Sequence, residues 1–260
     1  MSHLSCRVEN KVAAVTGGGS GIGRATAELL ARAGARVAVT DICESAVNEV
    51  AGAIVSAGED ALALALDVAS ESSWDAAMNS ILNRWSRLDV LINCAGISFS
   101  KPVADMTLAE WQRIHKVNLD GVFLGTRSAI RAMRRTGGGS IINVASASGI
   151  KASPGASAYC SSKAAVIQFS RTAALECQQA GDNIRINVVA PGGVRTPMWK
   201  TSTLWQELAR EGEAAAWKKL DPNGQFHTPE EIACTMLYLA SDDARHLTAA
   251  VVTVDRGYTA

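Results

Sequence analysis

The chain has 260 residues and its formal charge balances, with 25 Lys plus Arg against 25 Asp plus Glu, so no net field draws it toward nucleic acid or an acidic membrane surface. With 48% hydrophobic residues it can bury a sizeable core. Its six cysteines, Cys6, Cys43, Cys94, Cys160, Cys177 and Cys234, show no paired C-x-x-C spacing and are expected to be reduced and mostly packed, which excludes a disulfide scaffold.

The start, Met1 to Lys11, lacks the apolar stretch and cleavage site of a secretory signal, so cytoplasmic residence is the expectation. Short apolar runs then recur at Val12–Thr16, Arg36–Thr40, Ala61–Leu66, Val90–Asn93, Ser140–Ala145, Ile184–Ala190 and Ala250–Val254. Each has the length of a buried strand and is far too short to span a bilayer, so no membrane partner is expected. Helix-period segments separate them, including long ones at about Leu108–Arg134 and Tyr159–Ala180. Thr107 with Glu110, and Thr228 with Pro229 and Glu231, have the spacing of capping boxes. This alternation predicts one α/β domain over residues 1–260, a doubly wound fold with a mostly parallel seven-stranded sheet. The strandless segment at about 196–225, holding Trp199, Trp205 and Trp217, is too long for a plain connection and is a candidate substrate lid.

After the first strand comes Thr16-Gly17-Gly18-Gly19-Ser20-Gly21-Ile22-Gly23-Arg24, followed at once by a helix pattern. Gly17, Gly19, Ser20, Gly21, Ile22 and Gly23 are therefore candidates to cradle a dinucleotide pyrophosphate on free N–H groups at a helix start, although a turn that only packs is the plainer alternative. A P-loop is excluded because no Gly-Lys-Ser/Thr follows. Asp41 stands directly after the second strand, 18 residues beyond Gly23, and is followed by Ile42 and Cys43. A carboxylate there suits adenosine ribose hydroxyls and repels a 2′-phosphate, which favours NAD over NADP.

Tyr159 and Lys163 stand four residues apart in a helical segment and so share a face. An ammonium beside a phenol favours phenolate, and the spacing predicts a lowered tyrosine pKa and an acid–base group. Ser146 closes a strand thirteen positions earlier, where a doubly wound sheet opens its ligand crevice, and its hydroxyl can bond a substrate oxygen. Ser148 is close enough to be confused with it, and either could merely satisfy a turn.

Taken together these residues resemble the short-chain dehydrogenase/reductase family, in order and over nearly the whole chain. The turn Thr16–Gly23 resembles that family's Thr-Gly-x-x-x-Gly-x-Gly, Asp67-Val68 its adenine-contacting pair, and Asn93-Cys94-Ala95-Gly96 its Asn-Asn-Ala-Gly segment. Asn118 is similar to its helix asparagine; Ser146, Tyr159 and Lys163 to its catalytic serine, tyrosine and lysine; Pro191-Gly192, Val194 and Thr196 to the segment beside the nicotinamide carboxamide. The resemblance implies an NAD-linked hydride transfer between a secondary alcohol and a ketone. Tyr159 would be acid and base, and Ser146 would polarise the substrate oxygen. Lys163 would bind ribose, and Asn118 would hold a water of a proton relay. It also implies a homotetramer paired through the two long helices; the alternative is that those faces pack within one subunit.

The departures are Cys94 in place of the second asparagine, Leu247-Thr248-Ala249-Ala250 without the usual glycine, and Arg256 where glycine is common. Arg256 is either a subunit contact or a substrate anchor. Met198 and Trp199, with Trp205 and Trp217, either line an apolar substrate pocket or pack as core. His115, His227 and His246 lack ligand-like spacing, so no metal is expected. The rival readings are an NADPH-dependent carbonyl reductase and a dinucleotide-sensing protein without turnover.

Overall fold

The computed structural model describes residues 8–201 and 203–260. Cys6 and the first seven residues, on which the expectation of a missing signal partly rested, lie outside the described residues. Among those described, the seven apolar runs form strands β1 (Val12–Thr16), β2 (Arg36–Asp41), β3 (Ala61–Ala65), β4 (Val90–Asn93), β5 (Gly139–Val144), β6 (Ile184–Pro191) and β7 (Val251–Val254). They pair in parallel throughout, in the order β3-β2-β1-β4-β5-β6-β7.

The residue pattern explains the layering. Along β1, Val12 and Ala14 face one core while Ala13 and Val15 face the other, because successive side chains of a strand alternate. One face is covered by α1 (Gly21–Arg32), α2 (Glu44–Ser56) and α9 (Pro229–Ala240), through Leu30, Val50, Ile232 and Met236. The other is covered by α3 (Glu71–Trp85), α5 (Gly121–Met133) and α6 (Ser157–Gln179), through Trp74, Ile81, Met133 and Ala174. Every residue of β1 and β4 is buried, so the central strands have no solvent face. Each large apolar side chain enclosed this way contributes roughly 1.5–3 kcal/mol.

Both expected capping boxes form: Thr107 accepts from the Glu110 N–H at the start of α4 (Leu108–His115), and Thr228 accepts from the Glu231 N–H at the start of α9. Arg185 closes the other end of α9, donating to the Leu239 carbonyl at 2.8 Å and the Ser241 carbonyl at 3.2 Å. The expected single helix Leu108–Arg134 is corrected. A π turn at Lys116–Asp120 separates α4 from α5 and inserts a residue that the apolar spacing does not reveal.

The expectation of mostly packed cysteines also needs correction. The five described are free thiols and Cys177 is buried, but Cys43 and Cys234 are exposed, one at the start of α2 and the other on the outward side of α9. Among the described residues no helix is long and apolar enough to cross a membrane.

The chain runs outward from β1 to β3, then crosses back through α3 to place β4 on the other side of β1. Connections leaving β1 and β4 therefore diverge, and a crevice opens beyond their carboxyl ends. The segment after β6 holds a 3-10 turn (Pro197–Thr201), α7 (Thr203–Leu208), another 3-10 turn (Ala209–Glu211) and α8 (Glu213–Leu220).

Candidate active site

The turn between β1 and α1 is shaped by what cannot fit in it. Gly17 has φ +66°, and a Cβ there would meet the Ala95 Cα at 2.9 Å; at Gly23 a Cβ would overlap the Gly17 carbonyl. Thr16 ties the two loops together, its Oγ1 accepting from the N–H groups of Cys94 and Ala95, each at 3.0 Å. Ser20 sits at the N-cap of α1 but makes no capping hydrogen bond, and the first turn holds no acid. With the capping boxes of α4 and α9 as contrast, α1 offers its first N–H groups and positive end to something else. A pyrophosphate fits that need. Ile22 is partly buried against the core beneath the turn, and Gly21 lies against Thr196, whose Cγ2 would be 3.2 Å from a Cβ there.

Asp41, at the end of β2, reaches across to the same turn. Its Oδ2 accepts from the Gly19 N–H at 3.2 Å and its Oδ1 from the Cys43 N–H at 3.0 Å. These bonds hold the carboxylate at the crevice mouth while leaving lone pairs free. Ile42 is 75% exposed and points to solvent. Beyond β3, Asp67 is exposed and caps its own turn through the Ala69 N–H at 2.9 Å, while Val68 is buried. A narrow cleft gathers Thr16, Val68, Asn93 and Ala95 with Val117, Gly121 and Val122.

Asn93 lines this cleft, while its side-chain amide turns into the protein. Its Nδ2 donates to Asn143 Oδ1 at 2.8 Å and to Thr126 Oγ1 at 3.3 Å, and Asn143 Nδ2 donates in turn to Ser170 Oγ at 2.8 Å. A buried amide must be satisfied, and this network beneath the crevice satisfies it. Asn143 was detectable as a polar residue inside an apolar run; Thr126 and Ser170 gave no such signal.

The end of β5 meets the start of α6 on the far wall. Ser146 is buried, accepts from the Ser148 N–H at 3.1 Å, and stands close enough to Tyr159 to influence its phenol. Ser148 thus braces Ser146. Gly149 packs on the backbone of Lys163, which fixes the Ser146 turn against α6. Lys163 is buried, donates to the Val144 carbonyl at 2.8 Å, and lies 5.8 Å from the centre of the Tyr159 ring.

Burial dominates both groups. It pushes the phenol above its ordinary range, with the nearby Ser146 hydroxyl pulling it partly back, and it pushes the Lys163 ammonium down to about 8. The expected lowering of the tyrosine by the lysine is therefore corrected for the chain alone: low polarity favours the neutral form of each. Burial likewise pushes the Cys94 thiol up to about 12, leaving it a neutral filler.

Asn118 occupies the π turn and is fully buried. Its Oδ1 accepts from the Ile97 N–H at 2.8 Å, and its Nδ2 donates to the Ile97 carbonyl at 2.9 Å and to Ser162 Oγ at 3.2 Å. A Cβ at Gly96 would stand 3.3 Å from Asn118 Oδ1 and 3.5 Å from Lys163 Nζ, so the missing side chain leaves a gap joining the amide to the ammonium.

After β6, Pro191 and Val194 are buried, and Gly192 donates to the Val254 carbonyl at 3.0 Å. Phe226 covers Gly193, stacks on Trp199 at 5.3 Å, and meets Trp217 edge-on at 6.5 Å; Trp217 in turn meets Trp205 at 4.6 Å. Trp199 also donates to the Val194 carbonyl at 2.9 Å. These rings pack on one another, with Trp205 buried and Trp199 and Trp217 partly buried; Met198 is 37% exposed. Phe226 was missed because its part comes from a contact with a glycine distant in sequence.

The chain is similar over residues 17–259 to a family described as enoyl-(acyl carrier protein) reductase. It is 40% identical to a cyclopentanol dehydrogenase of a Comamonas species, covering 98% of this chain and 99% of that one. It is 37% identical to an NADP-dependent (R)-specific alcohol dehydrogenase of Lentilactobacillus kefiri, over 99% and 100%. A solved short-chain type dehydrogenase/reductase from Mycobacterium marinum superposes with a TM-score of 0.88 at 35% identity, covering 98% of this chain and 97% of that one.

Proposed function

Because this chain belongs to the short-chain dehydrogenase/reductase family, we propose that it interconverts a secondary alcohol and a ketone with NAD, using Tyr159 as the proton carrier. The observation that carries the reading is Tyr159 set between a buried Lys163, 5.8 Å from its ring centre, and a buried Ser146, in the crevice that an uncapped helix start opens onto. When bound, NAD supplies the hydride acceptor, and the chain supplies position and protons.

In alcohol oxidation Tyr159 acts as the phenolate, its own proton having left by the relay, and takes the hydroxyl proton as the C–H hydrogen leaves with its electron pair; in ketone reduction the neutral phenol gives its proton to the carbonyl oxygen. Ser146 donates a hydrogen bond to the same oxygen as its charge changes. Lys163 holds a ribose hydroxyl, and Asn118, across the gap at Gly96, holds a water that passes the proton outward. Gly17, Gly19, Ser20, Gly21, Ile22 and Gly23 hold the pyrophosphate. Asp67, Val68, Ala95 and Gly96 flank the adenine side, and Pro191, Gly192, Val194 and Thr196 the nicotinamide side.

Asp41 supports NAD over NADP, since a carboxylate fixed at the mouth of the turn accepts from ribose hydroxyls and repels a phosphate. The likeness to an NADP-dependent alcohol dehydrogenase makes NADPH the alternative to test beside it. Similarity to a cyclopentanol dehydrogenase makes ring-borne secondary alcohols the first substrates to screen. The homotetramer that the resemblance implies, joined through α4, α5 and α6, is to be checked by light scattering.

Tyr159→Phe is expected to bind NAD within about twofold of the parent while kcat falls about 10³-fold. Fluorescence titration and steady-state kinetics measure the two. A variant that turns over at the parental rate ends the assignment.

A further inference from the structure

We propose that Lys151 and Tyr258 form a clasp that sets the spacing between the two walls of the alcohol site, making both positioning residues for the substrate. The inference rests on the reading above and names a part of the chain that the reading does not use.

Lys151 follows the Ser146 turn directly, its N–H donating to the Ala147 carbonyl at 2.8 Å. It therefore moves with the segment joining Ser146 to Tyr159, the two groups assigned to the substrate oxygen. Its Nζ donates to the Tyr258 carbonyl at 2.9 Å and lies 4.5 Å from the centre of the Tyr258 ring. One ammonium thus grips both the backbone and the side chain of a residue near the chain end.

Tyr258 belongs to a closed turn built on the Asp255 carboxylate, which accepts from the N–H groups of Gly257 and Thr259, each at 3.0 Å, and from Thr259 Oγ1 at 2.6 Å. That turn is anchored at its other end to the opposite wall. Asp255 packs on Gly192, and Gly192 donates to the Val254 carbonyl, so the turn moves with the Pro191–Thr196 segment. The chain end is therefore a strut between the proton-transfer wall and the nicotinamide wall.

Among the described residues little else holds it. Arg256, Gly257, Tyr258 and Ala260 are exposed. A cleft of about 610 Å³ bounded by His227, Thr253, Arg256 and Thr259 lies alongside, and the Arg256 guanidinium reaches Glu231 only at 3.6 Å. With no core beneath the turn, the Lys151 grip decides how closely the two walls approach.

The test is kinetic and uses the full chain. Lys151→Met removes both contacts and keeps the stem; it is expected to raise KM for a cyclic secondary alcohol about fivefold with kcat and the NAD dissociation constant within about twofold. Lys151→Arg keeps a donor and a cation over the ring and should restore KM. Tyr258→Leu should add nothing in the Lys151→Met background. A parental KM in Lys151→Met, failure of arginine to rescue, or simple addition of the two effects would each overturn the clasp. Amide hydrogen exchange supplies an arm independent of turnover: exchange at residues 149–153 and 256–260 should quicken in Lys151→Met and nowhere else, and unchanged exchange also overturns it. A parent that oxidises no alcohol would defeat the functional reading while leaving the exchange result to decide the clasp.

Discussion

Two segments close over the same crevice by opposite means. The turn after β1 is held by absence: at Gly17 and Gly23 the backbone comes so near to other backbone that no Cβ fits. The segment after β6 is held by presence, through rings at Trp199, Phe226, Trp217 and Trp205 packed on one another and over Gly193. Backbone against backbone has one solution and resists displacement, whereas a cluster of rings on short helices opens at modest cost. The first suits a fixed anion cradle. The second suits a cover that lets substrate in and product out.

The comparison can be broken at its rigid end first. Gly23→Ala places a methyl group on the Gly17 carbonyl and is expected to weaken NAD binding by about 10³-fold or to prevent folding, because a backbone clash has nowhere to relax. Calorimetric titration and circular dichroism distinguish those results, and an alanine variant that binds NAD normally would remove steric exclusion as the shaping force. Next comes Asp41→Ala, which leaves the turn intact and removes an acceptor. NAD should bind roughly tenfold more weakly and NADP no worse than before, following the usual worth of hydrogen bonds to a charged group. Equal losses for both dinucleotides would show that Asp41 only braces the Gly19 amide.

At the compliant end, Phe226→Ala should lower the thermal midpoint by about 4 °C, as expected for roughly 2 kcal/mol in a chain of this size, and should raise the alcohol KM more than it changes NAD affinity. An equal effect on both would merge the two segments into one unit. The smallest effect is in pH. Burial lowers Lys163 from its ordinary 10.5 to about 8. Between those values the unfolded chain binds a proton that the folded chain has released, so this group makes stability rise with pH across the window and opposes folding fully below it. Denaturant midpoints should show the advantage of Lys163→Met shrinking as pH goes from 8 to 10. Tyr159, pushed upward, acts with the opposite sign above its ordinary range.

The same contrast explains what could be read from residues alone. Parallel strands buried on both faces appear as continuous apolar runs, and all seven were legible to within a residue or two. Glycines demanded by sterics, and a tyrosine and lysine one helical turn apart, announce themselves by spacing. The inward turn of the Asn93 amide was not legible, because residue type does not tell which way an amide points; it belongs to the polar network with Asn143 and Thr126. The electrostatics of Tyr159 and Lys163 misled because four-residue spacing reports proximity but not burial, and burial set both directions. Phe226 and Tyr258 were silent, since their partners, Gly193 and Lys151, are brought to them only by the completed fold.

The π turn at Lys116–Asp120 carries a final implication. One surplus residue in a helix offsets everything downstream by about 100° of rotation. Shortening the stretch by a single amino acid would let α4 and α5 merge into a smoother, intrinsically more favourable rod, yet it would swing the Asn118 amide away from Ile97. The helix carries an imperfection that a stability-driven redesign would erase first, and the proton route proposed through Asn118 would be lost with it.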